Sequence, residues 1–326
     1  MYTVTSVHWH SIHQNGTSYA DGTSTVTQCP IAQNQSYLQS FSAQNQAGTY
    51  WYHSHYSVQY CDGLRGVLFY ERCIARYHAE ATVLRYIIGN VADFTLINGL
   101  GRYAGGPMSD LAVINVQQGK RYRMRLVSMS CDPNFLFSID GHNMTVIEAD
   151  GQLTDPLEVD QLQIFAGQRY SVVLVADQPT DNYWIRSLPD TAKPTTTNLH
   201  ALINPSAPGV PEYGAADINL NLAVSIDNGI FSVNNVSFAS PTVPVLLQIL
   251  SGAQDASDLM PNGSVIILEA NKVVELTLST TGEYPEANCG AKPLFDAIQR
   301  KREGRGEITG RASKNGRPEV RASASR

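Results

Sequence analysis

What most constrains the fold of this chain is a succession of short extended runs cut apart by turn residues, with no amphipathic stretch of helix length between them. Residues 3–10 alternate as a strand, and residues 47–55 read as a turn followed by another. Further runs cover residues 66–70, 111–116, 121–127, 145–148, 161–165, 170–175 and 183–186. Gly, Asp-Gly and Pro punctuate them at the spacing of an antiparallel sandwich. A parallel sheet would need crossover helices, and none of sufficient length is legible. Residues 189–214 are rich in Pro and polar residues and read as a linker. A new strand series begins at residues 218–222, takes in the apolar run 243–250 and ends at 273–278. The expected class is all-β, in tandem Greek-key sandwiches. After residue 281 the character turns to Arg, Gly, Ser and Glu, a composition expected to stay out of any sheet because it buries too little apolar surface.

The charge is unevenly placed. Of 23 Lys/Arg and 29 Asp/Glu, residues 282–326 hold ten and six, which leaves thirteen against twenty-three in residues 1–281. An acidic body repels phosphate, so nucleic acid is not an expected partner. The basic tail reads as a foreign or misread end, a nucleic-acid arm being the alternative. No run of eighteen apolar residues exists, so no membrane association is expected. The residues after Met1 show neither a basic nor an apolar leader region, which reads as a leader missing or already removed. Five Asn-X-Ser/Thr sequons, at Asn15, Asn34, Asn143, Asn235 and Asn262, point to a secreted glycoprotein. The five cysteines, Cys29, Cys61, Cys73, Cys131 and Cys289, are widely spaced and none form Cys-X-X-Cys. A structural zinc site is therefore not expected. In an oxidising compartment two disulfides and one odd thiol are possible, and spacing alone does not pair them.

Chemistry concentrates in His8-Trp9-His10 and His53-Ser54-His55, which hold four of the eight histidines. On a strand, residues i and i+2 share a face, so each pair presents two imidazoles side by side. Two such strands brought together converge four imidazoles, a donor set that leans to copper or zinc. Spacing alone goes no further than a poly-histidine metal site.

The flanking residues go further. Thr5-Ser6-Val7-His8-Trp9-His10 and the run from Gly48 through Thr49-Tyr50-Trp51-Tyr52-His53-Ser54-His55 to Gln59-Tyr60-Cys61-Asp62-Gly63-Leu64-Arg65-Gly66 resemble the first two copper-binding signatures of fungal laccases, of the basidiomycete type, among the multicopper oxidases. Leu96-Ile97-Asn98-Gly99, Ser138-Ile139-Asp140-Gly141-His142-Asn143-Met144-Thr145 and Pro241-Thr242-Val243-Pro244-Val245-Leu246-Leu247-Gln248 extend the likeness over residues 3–70 and 91–281. The run around Cys61 favours a laccase over an ascorbate oxidase or ferroxidase.

That resemblance implies three cupredoxin domains. The expected boundaries are 1–75, carrying half of a trinuclear copper site, 76–215, and 216–281 as the start of a third domain, with 282–326 an unrelated, disordered tail. The first and third domains are expected to be incomplete, the chain being truncated at both ends. The family oxidises phenolic small molecules, as in lignin degradation, and reduces dioxygen to water. By position His8 resembles a type 2 copper ligand, and His10, His53 and His55 resemble type 3 ligands. Asp21 matches a proton-relay carboxylate, and on residue type alone it is a turn former. Asp132 matches the carboxylate that binds the phenol. Cys61 and Cys131 match disulfide partners, and Cys29 a cysteine whose partner lies far towards the family's C-terminus. His142 reads as a turn histidine, and His78 and His200 as isolated. Ser11 and His13 depart from the family pattern, with His13 expected at the outward tip, an added ligand to the cluster being the alternative. No Cys stands beside a His, so the type 1 copper site is expected to be absent and the trinuclear site half-liganded. A secreted monomer without phenol turnover is the resulting expectation. The other reading is a non-catalytic glycoprotein fragment with a partial copper site.

Overall fold

The computed structural model describes residues 4–43, 45–70, 79–86, 94–102, 105–131, 134–190, 199–203, 214–227, 229–253, 255–260, 263–280, 308–312 and 318–324. Its early strands are β1 (Val4–Thr5), β2 (His8–His10), β3 (Ile31–Ala32), β4 (Gly48–His53), β5 (Arg65–Tyr70), β6 (Ala79–Tyr86) and β7 (Phe94–Ile97). The middle of the chain gives β8 (Arg121–Ser128), β9 (Asn134–Ile139), β10 (Met144–Ala149), β11 (Gln152–Val159), β12 (Gln161–Ile164), β13 (Arg169–Val175) and β14 (Ile185–Asp190). Then follow β15 (Ile218–Asp227), β16 (Ile230–Val233), helices α1 (Val245–Leu250) and α2 (Ala256–Leu259), β17 (Val274–Thr280), β18 (Ile308–Ala312) and β19 (Pro318–Ala324). The fold is mostly β, and among the described residues no helix is long and apolar enough to cross a membrane.

Two compact units emerge. One comprises residues 7–12 and 42–203, the other residues 1–6, 13–41 and 204–326. In the first, a six-stranded sheet of order β11-β10-β13-β8-β6-β7 and a three-stranded sheet β12-β9-β14 enclose a core. The core residues alternate along their strands: Met124 and Leu126 on β8, Phe135, Phe137 and Ile139 on β9, Met144 and Val146 on β10, and Tyr170, Val172 and Leu174 on β13. This is the period-two pattern of a sandwich, with one face of each sheet turned inward. A separate three-stranded sheet, β2-β4-β5, belongs to the same unit. In the other unit β15 pairs parallel with β17 inside the five-stranded sheet β16-β15-β17-β19-β18.

Several expectations are corrected. The continuous strand over residues 3–10 is two strands in two sheets, because buried Ser6 and its neighbour Val7 leave the ladder between β1 and β2. Residues 111–116 join no ladder. Only Ile114 of that run packs against the core, while Val113 is largely exposed. The apolar run 243–250 is not a strand. Past Pro244, whose ring fixes the entry angle, it closes as α1. Two stretches of the tail expected outside any sheet join one: β19 pairs with β17, and β18 pairs with β19 at the sheet's edge. The edge of β17 offers unpaired backbone groups that any extended segment with free donors can meet. A strand without a sequence-level signal, β11, carries Pro156 at the edge of its sheet, the one place where a missing N–H is tolerated.

Candidate metal centre

Strands β2 and β4 run antiparallel with His8 opposite His53 and His10 opposite Trp51. Directly opposed residues share a face, so three imidazoles and one indole project together. Ligand nitrogens of His8, His10 and His53 all lie within 4.8 Å of one another. His10 Nδ1 is 3.0 Å from His53 Nε2, and His53 Nδ1 is 2.8 Å from the Ser54 carbonyl oxygen. A carbonyl only accepts, so His53 Nδ1 carries the proton. With the proton on Nδ1, the neutral form of the ring has its lone pair on Nε2, the nitrogen that faces the cluster. A backbone carbonyl holding the far nitrogen is the usual way a protein orients a metal-binding imidazole.

His55 lies past the end of β4, so the side-by-side strand geometry holds for His8 and His10 but not for the second pair. Its exposed ring is nonetheless 5.5 Å from that of His8 and 5.8 Å from that of His53, centre to centre. The turn is held by the buried Ser54 hydroxyl, which donates to Gln59 Oε1 at 2.7 Å, while Ser54 N–H donates to the Leu64 carbonyl. Beside the cluster, Arg65 faces His53 across β4 and β5 and donates from Nη1 to the Met129 carbonyl at 2.7 Å. Burial lowers the pKa of this guanidinium, against an opposing effect of Tyr60.

The donor set fits a metal. Bonds of about 2.0 Å to imidazole nitrogen place neighbouring ligand atoms roughly 3–4 Å apart, and small ring rotations bring the three nitrogens to that spacing. An all-imidazole set without thiolate or carboxylate suits copper or zinc.

The remaining candidates are scattered. Asp21 is half-buried in the other unit, and its Oδ2 accepts from the Thr23 hydroxyl at 2.7 Å. Cys61 and Cys131 form a disulfide, and Cys29 is an exposed free thiol. His142 lies in a turn, with Nδ1 2.9 Å from the Asp140 carbonyl and its ring edge-on to Tyr183. The His200 carbonyl accepts from Asp155 N–H, and His13 is exposed. Asn15, Asn34, Asn143 and Asn235 are all exposed. Asp132, His78, Cys73, Cys289 and Asn262 lie outside the described residues. Trp51 was not singled out as a candidate, though its place two residues before His53 puts it on the same face by period two alone.

Residues 1–72 and 70–207 match multicopper oxidase family profiles in turn. Laccase-4 of Trametes villosa is 49% identical over 86% of this chain and 64% of its own length. Laccase-2 of Pleurotus ostreatus is 50% identical over 87% and 63%. Among solved structures, the multicopper oxidase Fet3p superposes with a TM-score of 0.69 at 25% identity, covering 86% of this chain and 63% of that one. The laccase from Botrytis aclada gives 0.67 at 25% identity, over 87% and 63%. The chain thus spans a little under two thirds of the length of these relatives. The β-sandwich architecture agrees with these neighbours, and the imidazole cluster sits within the matched residues. The chain belongs to the multicopper oxidase family.

Proposed function

We propose that this chain supplies half of a laccase-type trinuclear copper centre, with His8 as a type 2 ligand and His10, His53 and His55 as type 3 ligands. The convergence of three imidazole nitrogens within 4.8 Å carries this reading, in a chain 49% identical to a laccase. When bound, copper at such a centre supplies the electrons that take dioxygen to water. The chain's own part is to hold the imidazoles aimed at the site, as the Ser54 carbonyl does for His53. In the full-length family context the electron donors are phenolic molecules, with Asp132 receiving the phenol's hydrogen bond and Asp21 relaying protons. The four exposed described sequons suit a secreted glycoprotein, acting as a monomer.

By itself the chain does not turn over phenols. No Cys stands next to a His in its 326 residues, so a His₂Cys type 1 site has no ligand set and electrons have no entry point. With only part of the ligand set, copper retention is weak. The purified chain, loaded with copper and dialysed against a chelator, is expected to lose most of its metal and to show neither a blue absorbance band nor phenol-dependent oxygen uptake. A blue band together with oxygen uptake overturns the reading of inactivity. Copper binding that survives unchanged in a His10→Ala/His53→Ala variant overturns the site.

A further inference from the structure

We infer that Trp51 is a positioning residue for the copper site, an aromatic platform that sets the ring planes of His10 and His53 before metal arrives; this rests on the copper reading above. The indole stacks on His10 with ring centres 4.6 Å apart and 29° between planes. It also stacks on His53 at 4.2 Å and 27°. The two imidazoles are 5.2 Å from each other. Rings on opposite faces of the indole would be separated by nearly the sum of the two stacking distances. Both imidazoles therefore share one face, side by side, with their nitrogens 3.0 Å apart above the indole.

The platform is itself immobilised. Trp51 is 3% exposed and packs with Val127 and Met129, and Tyr60 and Val67 close around that cluster. Its register opposite His10, two residues before His53, leaves no freedom to slide out from under either ring. The indole N–H finds no hydrogen-bond partner among the described residues, although it is buried. Leaving such a donor unsatisfied is a local cost that a Phe or Leu would avoid, and uncompensated costs of this kind concentrate at functional positions. What Trp offers that Leu does not is a flat surface wide enough for two rings. Fixing two ligand planes in advance lowers the ordering cost of metal binding, so the benefit appears as affinity.

The test compares Trp51→Leu, which keeps apolar bulk without a flat face, with Trp51→Phe, which keeps a smaller one. Cu(II) affinity of the full chain is measured by competition with a chelator of known affinity. Imidazole proton resonances of the metal-free chain are recorded alongside. Stacking of this kind corresponds to about a fivefold to tenfold loss of affinity in Trp51→Leu and about twofold in Trp51→Phe. In the metal-free wild type, two imidazoles show upfield ring-current shifts, which vanish in Trp51→Leu and persist in part in Trp51→Phe. Equal affinity in wild type and Trp51→Leu overturns the proposal, as does an equal loss in both variants. Unshifted imidazoles in the wild type overturn it as well, without any metal present. A wild-type chain that shows the shifts and binds no copper refutes the copper reading and, with it, the role of the platform in binding.

Discussion

Replacing Glu148 by Gln tests how β4, the strand that ends in His53, is fastened to the sandwich behind it. Glu148 is 2% exposed. Its Oε1 accepts from the Thr49 backbone N–H at 3.0 Å, and its Oε2 accepts from the Ser171 hydroxyl at 2.9 Å and from Arg123 Nη2. Arg125 Nη1, on a side chain 4% exposed, lies 4.0 Å from Oε2 and donates to Thr49 Oγ1 at 2.7 Å. Gln keeps the shape but turns one acceptor into an NH₂ donor facing guanidinium donors, and it removes the carboxylate charge beside Arg125. The Ser171 hydroxyl can rotate to adapt, whereas a guanidinium cannot.

At an effective dielectric of about 20, opposite charges 4 Å apart interact by roughly 4 kcal/mol. Arg123 is partly exposed and is discounted accordingly. Breaking a buried pair from one side therefore costs about 3–4 kcal/mol here. The assay is denaturant unfolding followed by tryptophan emission. Trp9, Trp51 and Trp184 all lie in the unit formed by residues 7–12 and 42–203, so the signal reports that unit. Adding Arg125→Met to Glu148→Gln should recover part of the loss, because the buried guanidinium beside the altered carboxyl is then removed as well. A single-variant cost under about 1 kcal/mol, or strict additivity in the double variant, refutes the reasoning.

Other perturbations separate further parts of the structure. Replacing Cys61 and Cys131 together by Ala releases a crosslink spanning 70 residues. It should cost about 4 kcal/mol by chain entropy, read in the same unfolding assay. Ala at Gly151 is expected to cost about 1–3 kcal/mol in thermal unfolding. There φ is +82°, and an added Cβ would sit 2.6 Å from the Tyr50 hydroxyl. Asp140 has its carboxyl pKa held below the ordinary value, first by the hydrogen bond from Arg186 and then by that residue's charge. The stabilisation this reflects is present above the ordinary carboxylate range and fades as pH falls towards the lowered value. Carboxyl NMR titration should show Asp140 moving up in Arg186→Met, and an unchanged midpoint would count against the pairing.

The part of the site carried by period-two spacing was readable in advance. His8 and His10 needed only the alternation of a strand to be placed on one face. That His8 faces His53, and not the residue after it, depends on the register between two strands far apart in sequence, which no local pattern specifies. The same limit hid β11. Pro156 argues against a strand until the edge position is known. Residues 243–250 read as part of a strand series but hold a short helix, because a brief apolar run carries no period of its own that would tell the two apart. Trp51 was legible as a neighbour of the histidines, but its role as a floor required the two stacking distances.

The register of a single sheet holds the imidazole cluster together. His8, His10 and His53 lie on adjacent strands of the three-stranded sheet, all within one compact unit. A one-residue slip of β2 against β4 would turn His8 and His10 to the opposite face and dissolve the cluster, so its integrity measures that pairing. The pairing is in turn fastened from behind β4 through Thr49, whose N–H, carbonyl and hydroxyl are all engaged, by Glu148, Arg169 and Arg125 respectively. The convergence of these three imidazoles is thus a property of the strands and their backing and needs no ligand from elsewhere.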